Sequence, residues 1–252
     1  MKSLIVLILF IVISLNGFSQ GSFPVWERDY AWGGNKNDYL MDIHQNDLDL
    51  SIFAAGYTYT SSNQDVSSIN NGYTDYWVVK TDSTGKLIYE QSYGGDSIDK
   101  LVVIVPSLDD GYLLAGYSAS RRNGDKSQES KGGFDYWVVK INKQGKVQWD
   151  KTIGGSADDI LTCAIGNGYG GFYLGGYSYS NMSGDKSQNS YGAEDFWLVQ
   201  IDDKGDVSWD LTLGGDSTDI MKNISLGFGS VLVGGYSICL LYTSDAADDW
   251  FC

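Results

Sequence analysis

The chain has 252 residues, and its 32 acidic residues against 17 basic ones give a formal net charge of −15. Such a surface repels nucleic acid and anionic membranes, and its scattered charges favour solubility as their role. The 32 glycines, 18 tyrosines and 8 tryptophans, with only 2 prolines, are typical of aromatic-rich strands joined by glycine turns. No long helical pattern occurs outside the N-terminus, so the composition predicts an all-β protein.

Residues 1–19 have the pattern of a secretory signal peptide. Lys2 precedes an apolar run from Leu4 to Leu15, and Gly17 and Ser19 supply small residues before a predicted cleavage site at Gln20. The run is short for a membrane span, although an uncleaved anchor is the alternative. No cysteine follows it, so attachment as a lipoprotein is not expected. The sequence therefore predicts a secreted or outer-surface protein.

The rest of the chain repeats itself with a period of about 60 residues. The phrase DYWVVK at 75–80 returns at 135–140 and, as DFWLVQ, at 195–200. A Gly-Gly pair also recurs, at 33–34, 94–95, 154–155 and 214–215, and so does a Gly-Tyr pair, at 56–57, 116–117, 176–177 and 235–236. A fixed period of this size predicts structural units that are stabilised by their neighbours.

One repeat unit reads as four strands. They are predicted at 158–165, 171–178, 195–202 and 206–213, with a long polar loop between the second and third. Side chains alternate along a strand, and the repeated phrase is mostly apolar on both faces. Both faces of this third strand must therefore be covered. The units are predicted at about 35–93, 96–153, 156–213 and, incomplete, 216–238.

The stretch DGYLLAGYS...FDYWVVKINKQGKVQWDKTIGG resembles the β-propeller repeats of secreted bacterial proteins that use the type IX export route. The resemblance covers about 22–238 and is specific for architecture, not activity. It implies an incomplete β-propeller of about three and a half four-stranded antiparallel blades. Comparison with WD-type blades places the first strand innermost and puts all the long loops on one side. Similarity to quinoprotein repeats and to the sialidase Asp-box is weaker, because the spacing of the turn residues differs.

Two terminal segments stand apart from the repeats. Residues 23–32 match a fourth strand without its three predecessors, so they are predicted to close the ring as an outer strand. The segment at 239–252 begins CLLYTSDAAD, which resembles the translated end of a sequencing-library adapter. It is therefore interpreted as an artefactual tail after a gene cut short near Ile238. Without its two cysteines Cys163 is alone and is predicted to be a small buried side chain, so no disulfide framework is expected.

Two columns of aspartates are candidate sites. Asp65, Asp125 and Asp185 lie at equivalent positions of the three long loops, with Ser67, Ser127 and Ser187 two residues later. Alternating oxygen ligands suit Ca²⁺, but each loop has few carboxylates, so turn-shaping is the favoured interpretation. The second column follows each Gly-Gly pair and suits either a carboxylate ring or turn caps, the latter favoured: Asp38, Asp99, Asp159 and Asp219.

Other residues carry little chemistry. His44 is the single histidine, so neither a Ser-His-Asp triad nor a histidine metal site is expected. Exposed loop tyrosines such as Tyr59, Tyr73 and Tyr191 suit stacking on sugars or simple surface roles.

The sequence predicts no catalytic residue, metal or cofactor. It predicts a non-enzymatic, secreted or cell-surface scaffold or binding region of a larger protein, monomeric at full length, with an unidentified protein or glycan partner. The alternative is the propeller part of an extracellular hydrolase, for example a glycan-acting one, whose catalytic residues lie outside this chain.

Overall fold

The computed structural model describes residues 7–9, 29–61 and 66–238, and all regular elements in these ranges are β-strands. Three four-stranded sheets follow one another along the chain, and a two-stranded hairpin follows the third. Sheet 1 contains β3 (Asp38–Gln45), β4 (Ile52–Thr58), β5 (Asp75–Thr81) and β6 (Leu87–Tyr93). Sheet 2 contains β7 (Asp99–Pro106), β8 (Tyr112–Ser118), β9 (Asp135–Ile141) and β10 (Val147–Ile153).

The later part of the chain repeats this arrangement. Sheet 3 contains β11 (Asp159–Gly166), β12 (Phe172–Ser178), β13 (Asp195–Ile201) and β14 (Val207–Leu213). The terminal hairpin contains β15 (Thr218–Gly227) and β16 (Ser230–Ile238). The strands of each sheet pair antiparallel in chain order. The predicted all-β chain of four-stranded antiparallel units is therefore confirmed.

Each first strand contains an irregularity at the same place. The pairing with the second strand shifts between Leu40 and Asp42, and again between Leu101 and Val103. It shifts at the corresponding positions of β11 and β15 as well. A β-bulge bends and twists its strand, so the same local bend occurs in all four first strands.

Successive sheets pack face to face through the third strands. All seven residues of β5 and all seven of β9 are buried. Trp137 and Val139 lie in a core shared with sheet 1, whereas Tyr136 and Val138 lie in a core shared with sheet 3. The prediction that this strand is covered on both faces is therefore confirmed.

Tyrosine hydroxyls also join neighbouring sheets. The Tyr76 hydroxyl donates to the Trp137 carbonyl oxygen at 2.8 Å, and the Tyr136 hydroxyl donates to the Trp197 carbonyl oxygen at 3.0 Å. The rings of each pair lie 4.7 and 4.9 Å apart. Each tyrosine thus contributes apolar area and also satisfies a buried carbonyl group. These bonds fix the register of one sheet on the next.

β7 contacts both β3 and β11, and β11 contacts β15, so the first strands lie side by side.

The loops are separated onto the two ends of the sheets. We call the end that carries the loops 59–74, 119–134 and 179–194 the long-loop end, and the opposite end, with the short hairpin turns, the turn end. Gly85, Gly145 and Gly205 adopt φ near +80° in turns at the turn end, a conformation that favours glycine.

The terminal segments are only partly described. Of the predicted signal peptide, Leu7–Leu9 form β1, which pairs antiparallel with β2 (Asp29–Ala31) in the predicted closing strand 23–32. The rest of both segments and the predicted artefactual tail at 239–252 lie outside the described residues. Within the described ranges no helix has the length and apolar character needed to cross a membrane.

Candidate functional site at the long-loop end

The long loops are held by the aspartate that begins each third strand. The Asp75 carboxylate accepts a hydrogen bond from the Asn71 backbone N–H at 2.7 Å. Asp135 does the same for the Lys131 N–H at 2.6 Å, and Asp195 for the Tyr191 N–H at 2.7 Å. Each bond closes a short turn just before the strand, so this aspartate determines how its loop enters the sheet.

The aspartates that follow the Gly-Gly pairs cap turns. In Asp99 one oxygen accepts hydrogen bonds from the Gly95 backbone N–H and the Ser120 hydroxyl, both at 2.8 Å. The same oxygen of Asp159 accepts from the Gly155 N–H at 2.6 Å, and Asp38 and Asp219 cap Gly34 and Gly215 in the same way. Of the two interpretations of this column, the structure favours turn caps.

The aspartates of the long loops also bind backbone. The Asp125 carboxylate accepts from the Gly94 N–H at 3.2 Å, and the Asp185 carboxylate accepts from the Gly154 N–H at 3.0 Å. Asp185 additionally forms an ion pair with Lys131. Asp65 lies outside the described residues. In the part of the chain that the structure covers, no three His, Cys, Asp or Glu side chains are grouped to hold a metal ion.

Buried carboxylates meet where two sheets join. Asp75 is fully buried and electrostatically coupled to Asp99 and Asp125 of the next sheet. Burial, reinforced by these negative neighbours, raises its pKa to about 7. Asp135, next to Asp159, has its pKa raised to about 6 by burial, but the charge of Lys126 opposes the increase. In sheet 1 this lysine position is occupied by Val66, which has no charge.

A row of tyrosines lies at the long-loop end. The Gly-Tyr pair places one tyrosine near the end of each second strand, opposite a residue of the first strand. Burial raises the pKa of Tyr57, Tyr117 and Tyr177, and a smaller contribution comes from the tyrosine of the next unit: Tyr117 for Tyr57, Tyr177 for Tyr117, and Tyr236 for Tyr177. The first three are half-buried and Tyr236 is 46% exposed. We call these four equivalent residues the tyrosine row; one lies in each of the three sheets and one in the terminal hairpin.

Further aromatic rings and two lysines flank the tyrosine row. Tyr39 stacks on Tyr57 at 4.8 Å, and Tyr59 lies 6.3 Å from Tyr57. At the other side Tyr179 lies 6.1 Å from Tyr177. The ammonium groups of two lysines lie over rings of the row, 5.5 and 5.6 Å from their centroids: Lys100 over Tyr57, and Lys222 over Tyr236.

The predicted candidate residues are distributed unequally around this row. Tyr59 lies beside it, whereas Tyr73 and Tyr191 are 73% and 63% exposed in the loops. His44 contacts the ring of Tyr112. Cys163 was predicted to be buried but is only partly buried, because it lies beside Met221 and Ile224 at the junction with the terminal hairpin, which has only two strands. The recurring Gly-Tyr pair was the sequence signal for the row, but the pair alone does not show that its tyrosines become neighbours.

Comparisons with known proteins give limited information. No family model matches the chain. A stretch of 173 residues, 65% of this chain, is similar at 27% identity to the regulatory protein FlaEY of Caulobacter vibrioides. The chain spans about 18% of the length of that protein. This level of similarity describes a related region and does not assign the chain to a family.

Proposed function

We propose that the chain is the β-propeller region of a secreted or cell-surface protein and that it acts as a non-enzymatic scaffold and binding module. In this proposal each four-stranded sheet is a blade, the first strands surround a central axis, and the terminal hairpin begins a further blade. The ligand surface is the long-loop end.

The observation that supports this proposal most is the way successive sheets contact one another. Each sheet has its first strand beside the first strand of the next sheet, while the third strands are buried on both faces. Stacking of this kind is what radial blades require. Equivalent hydrogen bonds from a tyrosine hydroxyl to a tryptophan carbonyl oxygen join sheet 1 to sheet 2 and sheet 2 to sheet 3. The same packing geometry is therefore repeated at both junctions.

The binding role is supported by the chemistry of the long-loop end. The aspartates of the long-loop end described above bond to backbone groups of the fold, which is a structural use of carboxylates. The aromatic rings of the tyrosine row are instead left partly exposed. The similarity to FlaEY spans too small a part of that protein for its regulatory role to be transferred.

Export and architecture are tested separately. Expression with the native N-terminus in a Gram-negative host should give a mature protein that begins at Gln20, and N-terminal sequencing would measure this. An intact Met1 on cytoplasmic protein would contradict the proposal of secretion. A crystal structure of the protein from the complete gene should show a closed ring with blades repeating the junctions seen here, whereas an open stack of sheets would contradict the propeller.

A further inference from the structure

We infer that sheet 3 and the terminal hairpin form a docking groove for a β-hairpin of another polypeptide, and that the bound hairpin has the sequence pattern of β9 and β10. The wall of the groove is the free edge of β16, and its floor is the adjoining face of β13 and β14. We call this surface the strand groove. It runs along these strands, whereas the ligand surface proposed above lies at one end of them.

The floor of the strand groove is apolar and open to solvent. At the junction of sheets 2 and 3 the equivalent residue Ile153 lies in the shared core and is 2% exposed, whereas Leu213 is 39% exposed. Trp149 packs on the β13–β14 turn of the next sheet, since a Cβ on Gly205 would lie 2.7 Å from its ring. Its counterpart Trp209 is 39% exposed. Sheet 3 therefore presents uncovered side chains that the preceding sheet buries.

The wall of the strand groove is an unpaired strand edge. β12, the equivalent of β16 in sheet 3, pairs with β11 on one side and with β13 on the other. Within the described residues β16 pairs with β15 alone. The backbone N–H and C=O groups along its other edge are therefore available to an added strand, which is a recurring mode of peptide binding.

The complete sheets specify which strand fits this edge. Gly116 of β8 pairs with Trp137, and Gly176 of β12 pairs with Trp197. Gly235 is the equivalent residue of β16, so a strand added in the same register places a tryptophan opposite it. β9 and β13 also share their residue order, which is an aspartate, an aromatic residue, a tryptophan and two aliphatic residues.

A second strand completes the occupant. The Trp137 indole N–H donates to the Asp150 carboxylate of β10 at 3.0 Å, and the Trp197 indole N–H donates to the Asp210 carboxylate of β14 at 2.9 Å. Each bond satisfies an indole group that is buried when the strand is added. The occupant is therefore a β-hairpin with a carboxylate on its second strand, and not a single strand.

Charge favours a basic occupant. The chain has a net charge of −15. Residues 135–153, which contain β9, β10 and their turn, have four lysines and two aspartates. The equivalent residues 195–213 have one lysine and five aspartates. The first pattern is attracted to the chain and the second is repelled, so β9 and β10 describe the partner better than β13 and β14 do.

Phe196 gives the strand groove a feature that can be tested. At the preceding junction the Tyr136 hydroxyl donates to the Trp197 carbonyl oxygen at 3.0 Å, and a Cβ on Gly176 would lie 2.7 Å from that hydroxyl. Phe196 occupies the equivalent position, and a Cβ on Gly235 would lie 2.7 Å from the tip of its ring. Because phenylalanine has no hydroxyl, the bond to the tryptophan carbonyl of the occupant is missing. Phe196→Tyr should supply it.

The test is fluorescence anisotropy with the whole chain and a labelled synthetic peptide of residues 135–153. We expect saturable binding of one peptide per chain. Phe196→Tyr should tighten binding about two- to tenfold, the effect of one hydrogen bond. Leu213→Lys should weaken it about tenfold, because it places a charge on the apolar floor beside a basic peptide. Leu87→Lys is the matched control, since Leu87 is 38% exposed on the fourth strand of sheet 1.

Charge and folding are controlled in the same experiment. A peptide of the same composition in scrambled order should not bind, because it keeps the charge and loses the strand pattern. Variants are compared only if their far-ultraviolet circular dichroism matches that of the parent. The result does not depend on closure of the ring, since the strand groove lies within sheet 3 and the terminal hairpin. Equal binding of the two peptides, no binding of the ordered one, or an unchanged affinity in Phe196→Tyr would overturn the inference.

Discussion

At the scale of single residues, aspartate has more than one role in this fold. Asp99 and Asp159 cap backbone turns, Asp125 and Asp185 attach loops to the preceding sheet junction, and Asp75 begins a third strand. Most of these carboxylates are buried, so their charge is costly unless it is neutralised or hydrogen-bonded. The cost makes the stability of the protein depend on pH.

Stability should decrease as the pH rises from 5 to 8. Asp75 and Asp135 have pKa values raised to about 7 and 6, so the folded state holds protons that the unfolded state has already lost. The corresponding stability is present below the unfolded pKa and is lost as the pH passes the folded value. Thermal melting should show it, and Asp75→Asn should flatten the slope by up to about 1.4 kcal/mol per pH unit.

Asp203→Asn is the control for this prediction, because Asp203 is an exposed turn residue. The groups that face Asp75 are Asp99 and Asp125, and those that face Asp135 are Asp159 and Lys126. An unchanged melting temperature between pH 5 and pH 8 would show that these carboxyl groups do not hold extra protons in the folded state.

Lys126 should reduce the pH dependence of stability that arises from Asp135. Lys126 is 2% exposed and its charge lowers the pKa of Asp135, whereas sheet 1 has Val66 in its place. Lys126→Met should therefore raise the pKa of Asp135 and make melting more sensitive to pH between 6 and 8. Lys204→Met, at an exposed turn position, is the control. A parallel decrease at every pH would mean that Lys126 contributes packing only.

The Asp185 loop should be independent of calcium. Its carboxylate already accepts a hydrogen bond from the Gly154 N–H and pairs with Lys131. Asp185→Ala should destabilise the fold by about 1–3 kcal/mol, the cost of a partner lost from a partly buried group. The loss should be equal in excess calcium and in chelator, while Asp216→Ala, at an exposed position, should have little effect. A chelator-dependent decrease in the parent that Asp185→Ala removes would indicate a calcium site.

At the scale of elements, the Gly-Gly pair is explained by close approach. A Cβ on Gly154 would lie 1.8 Å from a carboxylate oxygen of Asp135, and one on Gly155 would lie 2.5 Å from the side chain of Ser180. At the first junction Gly94 and Gly95 have the same relation to Asp75 and Ser120. Both glycines are thus required by the aspartate and the serine that pack on them.

Gly154→Ala should destabilise the protein by about 1–3 kcal/mol, because a methyl group does not fit beside Asp135. Chemical denaturation would measure the free energy of unfolding. Gly234→Ala provides a matched control, since nothing lies within 4 Å of the position where its Cβ would stand. Equal effects of the two substitutions would show that the close approach at the Gly-Gly pair does not determine stability.

At the scale of the whole molecule, the terminal hairpin differs from the complete sheets. In β16, Leu232 and Ile238 are 58% and 51% exposed, and within the described residues this strand pairs only with β15. In the complete sheets the second strand pairs with a third strand on its other side. An unpaired, apolar edge strand is a site for association with another chain.

Leu232→Lys should reduce self-association of the chain, because a charge on an edge strand opposes strand pairing between copies. Sedimentation velocity over a concentration series would measure the association. Leu108→Lys is the control, since Leu108 is 75% exposed in a turn and not on an edge. If both substitutions reduce association equally, general charge repulsion and not the β16 edge is responsible.

The sequence by itself determined the strands and their pairing within each unit. The strands predicted at 158–165, 171–178, 195–202 and 206–213 agree with β11 to β14 to within one residue at either end. Side-chain alternation and glycine turns are encoded within a few consecutive residues, so they are readable from the chain. The apolar character of both faces of the third strand was sufficient to show that it is covered on both sides.

Only the tertiary structure decided which side chains meet across the sheets. Asp75 and Asp99 are 24 residues apart, and Tyr117 and Tyr177 are 60 apart, in different sheets. Where such residues lie relative to one another depends on how the sheets pack, and bonds such as Tyr136 to Trp197 set the register between sheets. The periodic sequence shows that these residues are equivalent. The distances between equivalent residues follow from how the sheets pack, which no local pattern specifies.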